Sequence, residues 1–160
     1  MKTETLWSLL RISLAFVLLW AFIDKVLGLG FATTPDKSWL QGVSPTTGFL
    51  KFGVEGIFAP FFQSLAGNPL IDWLFMLGLL GIGLALLLGI GLKIAGYSGA
   101  LLMFFMYLSL FPPKNNPIID EHIIYLLLFL IFAKRGVGHH FSLHTWWKNT
   151  EFVRKYQILQ

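Results

Sequence analysis

"IDWLFMLGLLGIGLALLLGIGL", residues 71 to 92, holds a single ionisable side chain, Asp72, at its second position. As an α-helix rising about 1.5 Å per residue, a run of this length reaches about 33 Å, enough to cross a hydrocarbon layer of roughly 30 Å. Its apolar residues do not alternate with polar ones, so it does not read as a barrel strand. A helix is the remaining way to satisfy its backbone groups in lipid.

Outward from this stretch, three more runs have the same character: Leu6 to Gly28, Ile94 to Phe111, and Pro117 to Ala133. The last two are shorter and must stand nearly upright or be extended by interfacial residues. Of 160 residues 56% are hydrophobic and 12% charged, and the mean hydropathy of +0.70 is that of a membrane protein. The expected fold is an all-α integral membrane protein, a four-transmembrane-helix bundle forming one domain over residues 1–160. Its spans are 6–28, 71–92, 94–111 and 117–133, and a basic tail covers 134–160. The first run is too long for a signal-peptide core, contains Arg11 and lacks a small-x-small cleavage site before Asp24, so it is expected to remain as a span.

Residues 29–69 form the longest segment between spans. "SPTTGFLKFGVEGIFAPFFQSLAGNP" interleaves Phe49, Phe52, Phe58 and Phe61 with Lys51, Glu55 and Gln63, too apolar for a solvated loop and too broken by Gly and Pro to cross. Short interfacial helices in this extracytoplasmic segment fit best, as a lid over the bundle mouth or as interfacial filling.

Four spans put both termini on one side with Lys93. That side carries Lys2, Arg11, Lys93, Lys134, Arg135, Lys148, Arg154 and Lys155 against Glu4 and Glu151. The other carries Lys25, Lys37, Lys51 and Lys114 against Asp24, Asp36, Glu55, Asp72, Asp120 and Glu121. The positive-inside rule places both termini in the cytoplasm and the chain in the cell membrane. Topology thus explains the pI near 9.5 without nucleic acid, and the tail with Trp146 and Trp147 reads as an anchor to anionic headgroups.

Cysteine is absent, which excludes thiol-disulfide exchange, persulfide carriage and thiolate metal sites within this chain. Small residues recur every four positions at Gly81, Ala85 and Gly89, and again at Ala95 with Gly99 and Gly96 with Ala100. That spacing predicts close helix packing. It does not form a phosphate loop, because it follows no strand.

A charge at mid-membrane costs at least about 2.5 kcal/mol and asks for a partner or a task. Arg11, near the cytoplasmic end of the first span, either snorkels to phosphate or turns inward to a ligand; it is taken as a structural charge. Before the fourth span, Asn116 suits an N-cap and Pro117 the first helical position, leaving Asp120 and Glu121 to favour the positive end of the helix dipole. Capping does not account for His122. Asp24 and Lys25 end the first span on the same membrane face, and Glu121 shares a helix side with Tyr125. Carboxylate, imidazole and phenol at an apolar mouth suit proton exchange with a quinone, whose head group needs hydrogen bonds and whose tail needs apolar surface. Asp24, Glu121 and His122 are the candidate proton-handling residues. Asp120, Lys25, Lys51, Tyr125, Phe49, Phe52 and Phe58 are the candidate substrate-binding residues. No metal site is expected, since consecutive helical residues diverge by about 100°. His139, His140 and His144 lack a further ligand, and Gly136 and Gly138 argue against a regular helix upstream of them.

"FIDKVLGLG", "SPTTGFLKFG", "LAGNPLIDWLFMLGLLGIGLALLLGIG" and "PPKNNPIIDEHIIYLLLFLIFAKRGVG" together resemble the DoxX-like membrane proteins, in particular the branch related to the DoxD subunit of thiosulfate:quinone oxidoreductase. The resemblance covers about residues 6–143. It implies a four-helix membrane bundle and a quinone-linked redox role, with thiosulfate or another reduced sulfur compound as donor. Lys25 and Lys51 would attract such an anion, although six acids share their side. A non-catalytic anchor or assembly subunit for a partner oxidoreductase is the alternative reading. Expected partners are the bilayer, such a subunit, or a second copy of the chain. A small transporter is disfavoured, because paired broken helices at mid-membrane are missing.

Overall fold

The structure is a computed structural model and describes residues 2–135, 138–156 and 159. The described residues are all-helical, and three helices are long and apolar enough to cross a membrane. The first, α1, is Thr3–Leu27. After three short turns (Pro35–Lys37, Trp39–Gln41 and the wider Phe49–Gly53) comes the six-residue α2, Ala59–Ser64. Then follow α3, Pro69–Leu88, and α4, Leu92–Ser109, which complete the three long helices. The fourth expected span is the 15-residue α5, Glu121–Arg135. Two five-residue helices, α6 (His144–Lys148) and α7 (Glu151–Lys155), lie in the tail.

Local chemistry sets the ends of these helices. Gly28, at φ 67°, turns the chain out of α1 with its N–H on the Asp24 carbonyl; a Cβ there would lie 2.7 Å from the Thr34 carbonyl oxygen. A left-handed residue without a side chain is the usual solution at this position. The Asn68 side chain accepts the Leu70 N–H at 2.9 Å, with Pro69 in the first turn of α3. Gly89, also at φ 67°, ends α3 three residues before α4 begins.

The start of the fourth helix differs from expectation. Residues 117–120 are not helical. The Asn116 side chain instead closes a turn by accepting from the Ile118 and Ile119 N–H groups at 3.0 and 3.2 Å. Asp120 is the residue that receives the first free N–H groups of α5, from His122 at 3.0 Å and Ile123 at 3.4 Å. Both Asn and Asp can do this, but only one stands immediately before an uninterrupted helical run.

The longer helices pack in pairs, α1 with α3, α3 with α4 and α4 with α5. α4 runs along α5, with a Cβ at Gly96 falling 2.6 Å from the Phe129 carbonyl oxygen and one at Gly99 striking the Phe129 ring. α1 meets α3, where Leu19 fills the space above Gly83. The core joins Leu14, Ala15 and Leu18 of α1 to Met76, Leu79, Ile82 and Leu86 of α3, Ala95 and Ala100 of α4, and Phe129 and Phe132 of α5. A smaller cluster of Leu50, Val54 and Phe62 fixes the segment before α3. The expected small-residue stripe therefore divides. Its α4 half is buried against α5, while Gly81 is exposed and a Cβ added there meets nothing within 4 Å.

Candidate functional site

Arg11 is fully buried, which excludes snorkelling. Its guanidinium donates to five backbone carbonyls: Nε to Gly138 at 3.0 Å, Nη1 to Leu86 and to Leu87, and Nη2 to His140 and Phe141 at 3.2 and 3.1 Å. Two of these are among the orphan carbonyls at the end of α3, and three belong to the chain after α5. Glu4 adds a bond from the Gly138 N–H at 3.2 Å. With its donors spent on backbone, Arg11 is a lock on the end of the fold that carries both termini. Gly136, one of the two glycines expected to interrupt the chain here, lies outside the described residues; Gly138 adopts φ 80°.

Most acids near the other end of the fold are likewise engaged. Asp24, 2% exposed, accepts from the N–H groups of Phe31, Ala32 and Thr33 at 3.4, 2.9 and 2.9 Å. Asp72 accepts from Ser44 Oγ at 2.8 Å, Thr46 N–H at 3.3 Å and Thr46 Oγ1 at 2.5 Å. Glu55 and Lys114 form an exposed ion pair at 2.7 Å. Asp120 and His122 form the remaining pair, Oδ2 to Nδ1 at 2.8 Å, and both side chains are largely shielded from solvent.

His122 faces a cavity of about 150 Å³ lined by Leu14, Val17 and Leu18 of α1, Met103 and Met106 of α4, and His122, Tyr125 and Phe129 of α5. The order of the polar groups here is chemically specific. Asp120 engages Nδ1, so Nε2 is the ring nitrogen left for a ligand. The Tyr125 phenol stands one helical turn further on. An engineered apolar cavity of about 150 Å³ takes up benzene, so the space matches one six-membered ring.

Of the candidate residues, His122 and Tyr125 line the cavity, and Asp120 touches it only through its bond to His122. Asp24, Lys25, Lys51, Glu121, Phe49, Phe52 and Phe58 are absent from the cavity lining. Asp24 serves the turn after α1, Lys51 and Glu121 are exposed, and Lys25 is half-buried. Phe52 is 84% exposed, Phe58 is 40% exposed, and the Phe49 ring lies over Gly53 of its own turn. Val17, Met103 and Met106 line the cavity at this position. A Met pair three apart on α4 was the one available signal, since its flexible thioethers conform to irregular space.

Atoms able to ligate a metal on Asp120, Glu121 and His122 lie within 4.8 Å of one another. The divergence argued from helical geometry does not apply, because Asp120 precedes the helix and folds back over it. The set offers two carboxylates and one imidazole, of which one pair is already hydrogen-bonded together.

No protein-family model, curated protein or solved structure matches the chain.

Proposed function

We propose that the chain is a quinone-binding membrane subunit of the DoxX-like type, working with an oxidoreductase that exchanges electrons with the bound quinone. The carrying observation is the Asp120–His122 pair at 2.8 Å beside an apolar, ring-sized cavity that also holds Tyr125. Reduction of a quinone takes two electrons and two protons; the electrons come from the partner or from a reduced sulfur compound. With a quinone bound, His122 would pass a proton from Nε2 to a carbonyl oxygen of the head group, and water at the membrane face would supply the second proton. Asp120 holds Nδ1 and so orients the ring. The Tyr125 hydroxyl donates a hydrogen bond to the ligand, and Val17, Met103 and Met106 keep water from the ring.

In this reading the protein crosses the cell membrane four times with both termini in the cytoplasm. α5 spans only about 22 Å as 15 residues at 1.5 Å each, but it runs antiparallel along α4. The non-helical residues 117–120 precede it at this face, with the Tyr107 hydroxyl donating to the Ile118 carbonyl at 2.6 Å. The exposed Phe52, Ile57 and Phe61 rest in the outer interface. The same exposed residues favour a second reading, a non-catalytic anchor whose outer segment docks the oxidoreductase.

Purified protein in lipid nanodiscs, titrated with a short-chain ubiquinone, tests the first reading. His122→Ala removes one hydrogen bond of about 1 to 1.5 kcal/mol and should weaken binding about tenfold, and Asp120→Asn should weaken it less. Equal binding by wild type and His122→Ala refutes the assignment. No binding by wild type, together with retention of a soluble oxidoreductase, selects the anchor.

A further inference from the structure

At the other end of α4 from His122, a groove of about 580 Å³ opens between α3 and α4. Gly78, Gly81 and Ala85 line it from α3, Ile94 and Ser98 from α4, and Trp147 of α6 stands at its end. Three observations give it an occupant.

Gly78 and Gly81 are not spent on packing the bundle, and Gly91, though its φ of 57° serves the turn into α4, likewise has open space beside it. A Cβ at Gly78, Gly81 or Gly91 would meet nothing within 4 Å, whereas one at Gly83, Gly96 or Gly99 would strike Leu19, Phe129 or Ala133. Smallness at the first set therefore makes room outside the bundle. The volume lies within the roughly 300 to 1,000 Å³ of ligand sites, and the lining is almost wholly apolar.

Two exposed lysines stand next in sequence to residues that line the groove: Lys93 adjoins Ile94 and Lys148 adjoins Trp147. Lys2, Lys134, Arg154 and Lys155 are also exposed at this end, against Glu4 and Glu151. An indole at the boundary between an apolar channel and a basic rim is the arrangement that interfacial tryptophans adopt at headgroup depth.

We propose that this groove binds one acyl chain of an anionic phospholipid, with the phosphate held by Lys93 and Lys148. The site is separate from the cavity beside His122 and independent of quinone. Native mass spectrometry of the full-length protein, titrated with dioleoyl phosphatidylglycerol or dioleoyl phosphatidylcholine, tests it. Wild type should retain the anionic lipid at about tenfold lower concentration than the zwitterionic one. The double variant Lys93→Gln/Lys148→Gln should lose that preference, and Gly81→Leu should reduce retention of both lipids. His122→Ala should leave lipid retention unchanged. Equal retention of the two lipids by wild type overturns the proposal, as does a double variant that keeps the preference. Gly81→Leu that alters only the oligomer mass also overturns it, and assigns the groove to a second copy. If Gly81→Leu does not fold, the lysine variant, altered only at exposed positions, still decides.

Discussion

Arg11 illustrates how a charge can be tolerated at membrane depth without serving a ligand. A guanidinium carries five N–H donors in a fixed plane, and here it meets five carbonyls from two separate parts of the chain. An ammonium has only three donors and no fork. Arg11→Lys should therefore keep the charge yet lose at least about 2 kcal/mol through carbonyls left without a donor, read as a lower Tm in detergent. An unchanged Tm would show that the network is not stabilising. His144 is a second residue whose setting sets a direction. Burial, then the neighbouring charge of Lys148, hold its imidazole below the ordinary value, and its ring stacks on His139 at 3.8 Å. A histidine with a depressed folded pKa contributes stability that is fully present above its unfolded value of about 6.5 and lost as pH falls below it. Between about pH 7.5 and about pH 5.5 wild type should lose more Tm than His144→Gln; equal losses would remove His144 as the cause.

Among the helices, α4 and α5 depend on two glycines for their approach. Gly96 and Gly99 leave the space that Phe129 and Ala133 fill. Gly99→Val should force the helices apart at about 1 to 3 kcal/mol and lower Tm by roughly 2 to 4 °C per kcal/mol. Gly81→Ala, in a helix whose neighbouring space is open, should be neutral or stabilising by up to about 1 kcal/mol. The paired measurement separates glycines that pack the bundle from those that do not. If both substitutions lower Tm equally, the division of the stripe is wrong. The start of α5 falls about one turn later than expected, for a local reason. Asn116–Pro117 and Asp120–Glu121 both satisfy cap preferences, and spacing alone did not choose between them.

For the whole molecule, the absence of cysteine makes topology directly measurable. Lys2→Cys, Lys37→Cys and Thr145→Cys each introduce one thiol at an exposed position. Four crossings require that a membrane-impermeant maleimide label positions 2 and 145 from the same side and position 37 from the opposite side. If 2 and 145 label from opposite sides, α5 does not cross, and the cavity beside His122 opens onto an interface. The acids of the end that holds Asp24 and His122 also make sense only at this scale. Asp24, Asp72 and Glu55 each tie a loop residue or a lysine in place, so the excess of acid counted there is largely structural charge.

Hydropathy by itself determined that this chain belongs in a membrane and where its long helices run, because a span of lipid demands an unbroken apolar length that few other structures need. The titratable tripeptide Asp120–Glu121–His122 stands out in the sequence as a candidate for the same reason, set against an apolar background. Tertiary structure alone decided which of its neighbours matter. Asp24 and Lys25 are close to it in chain-order logic, but the turn after α1 consumes the carboxylate, and Leu14, Val17, Leu18, Met103 and Met106 come to His122 instead. Backbone N–H and carbonyl groups compete for every buried charge, and their positions exist only once the helices have packed.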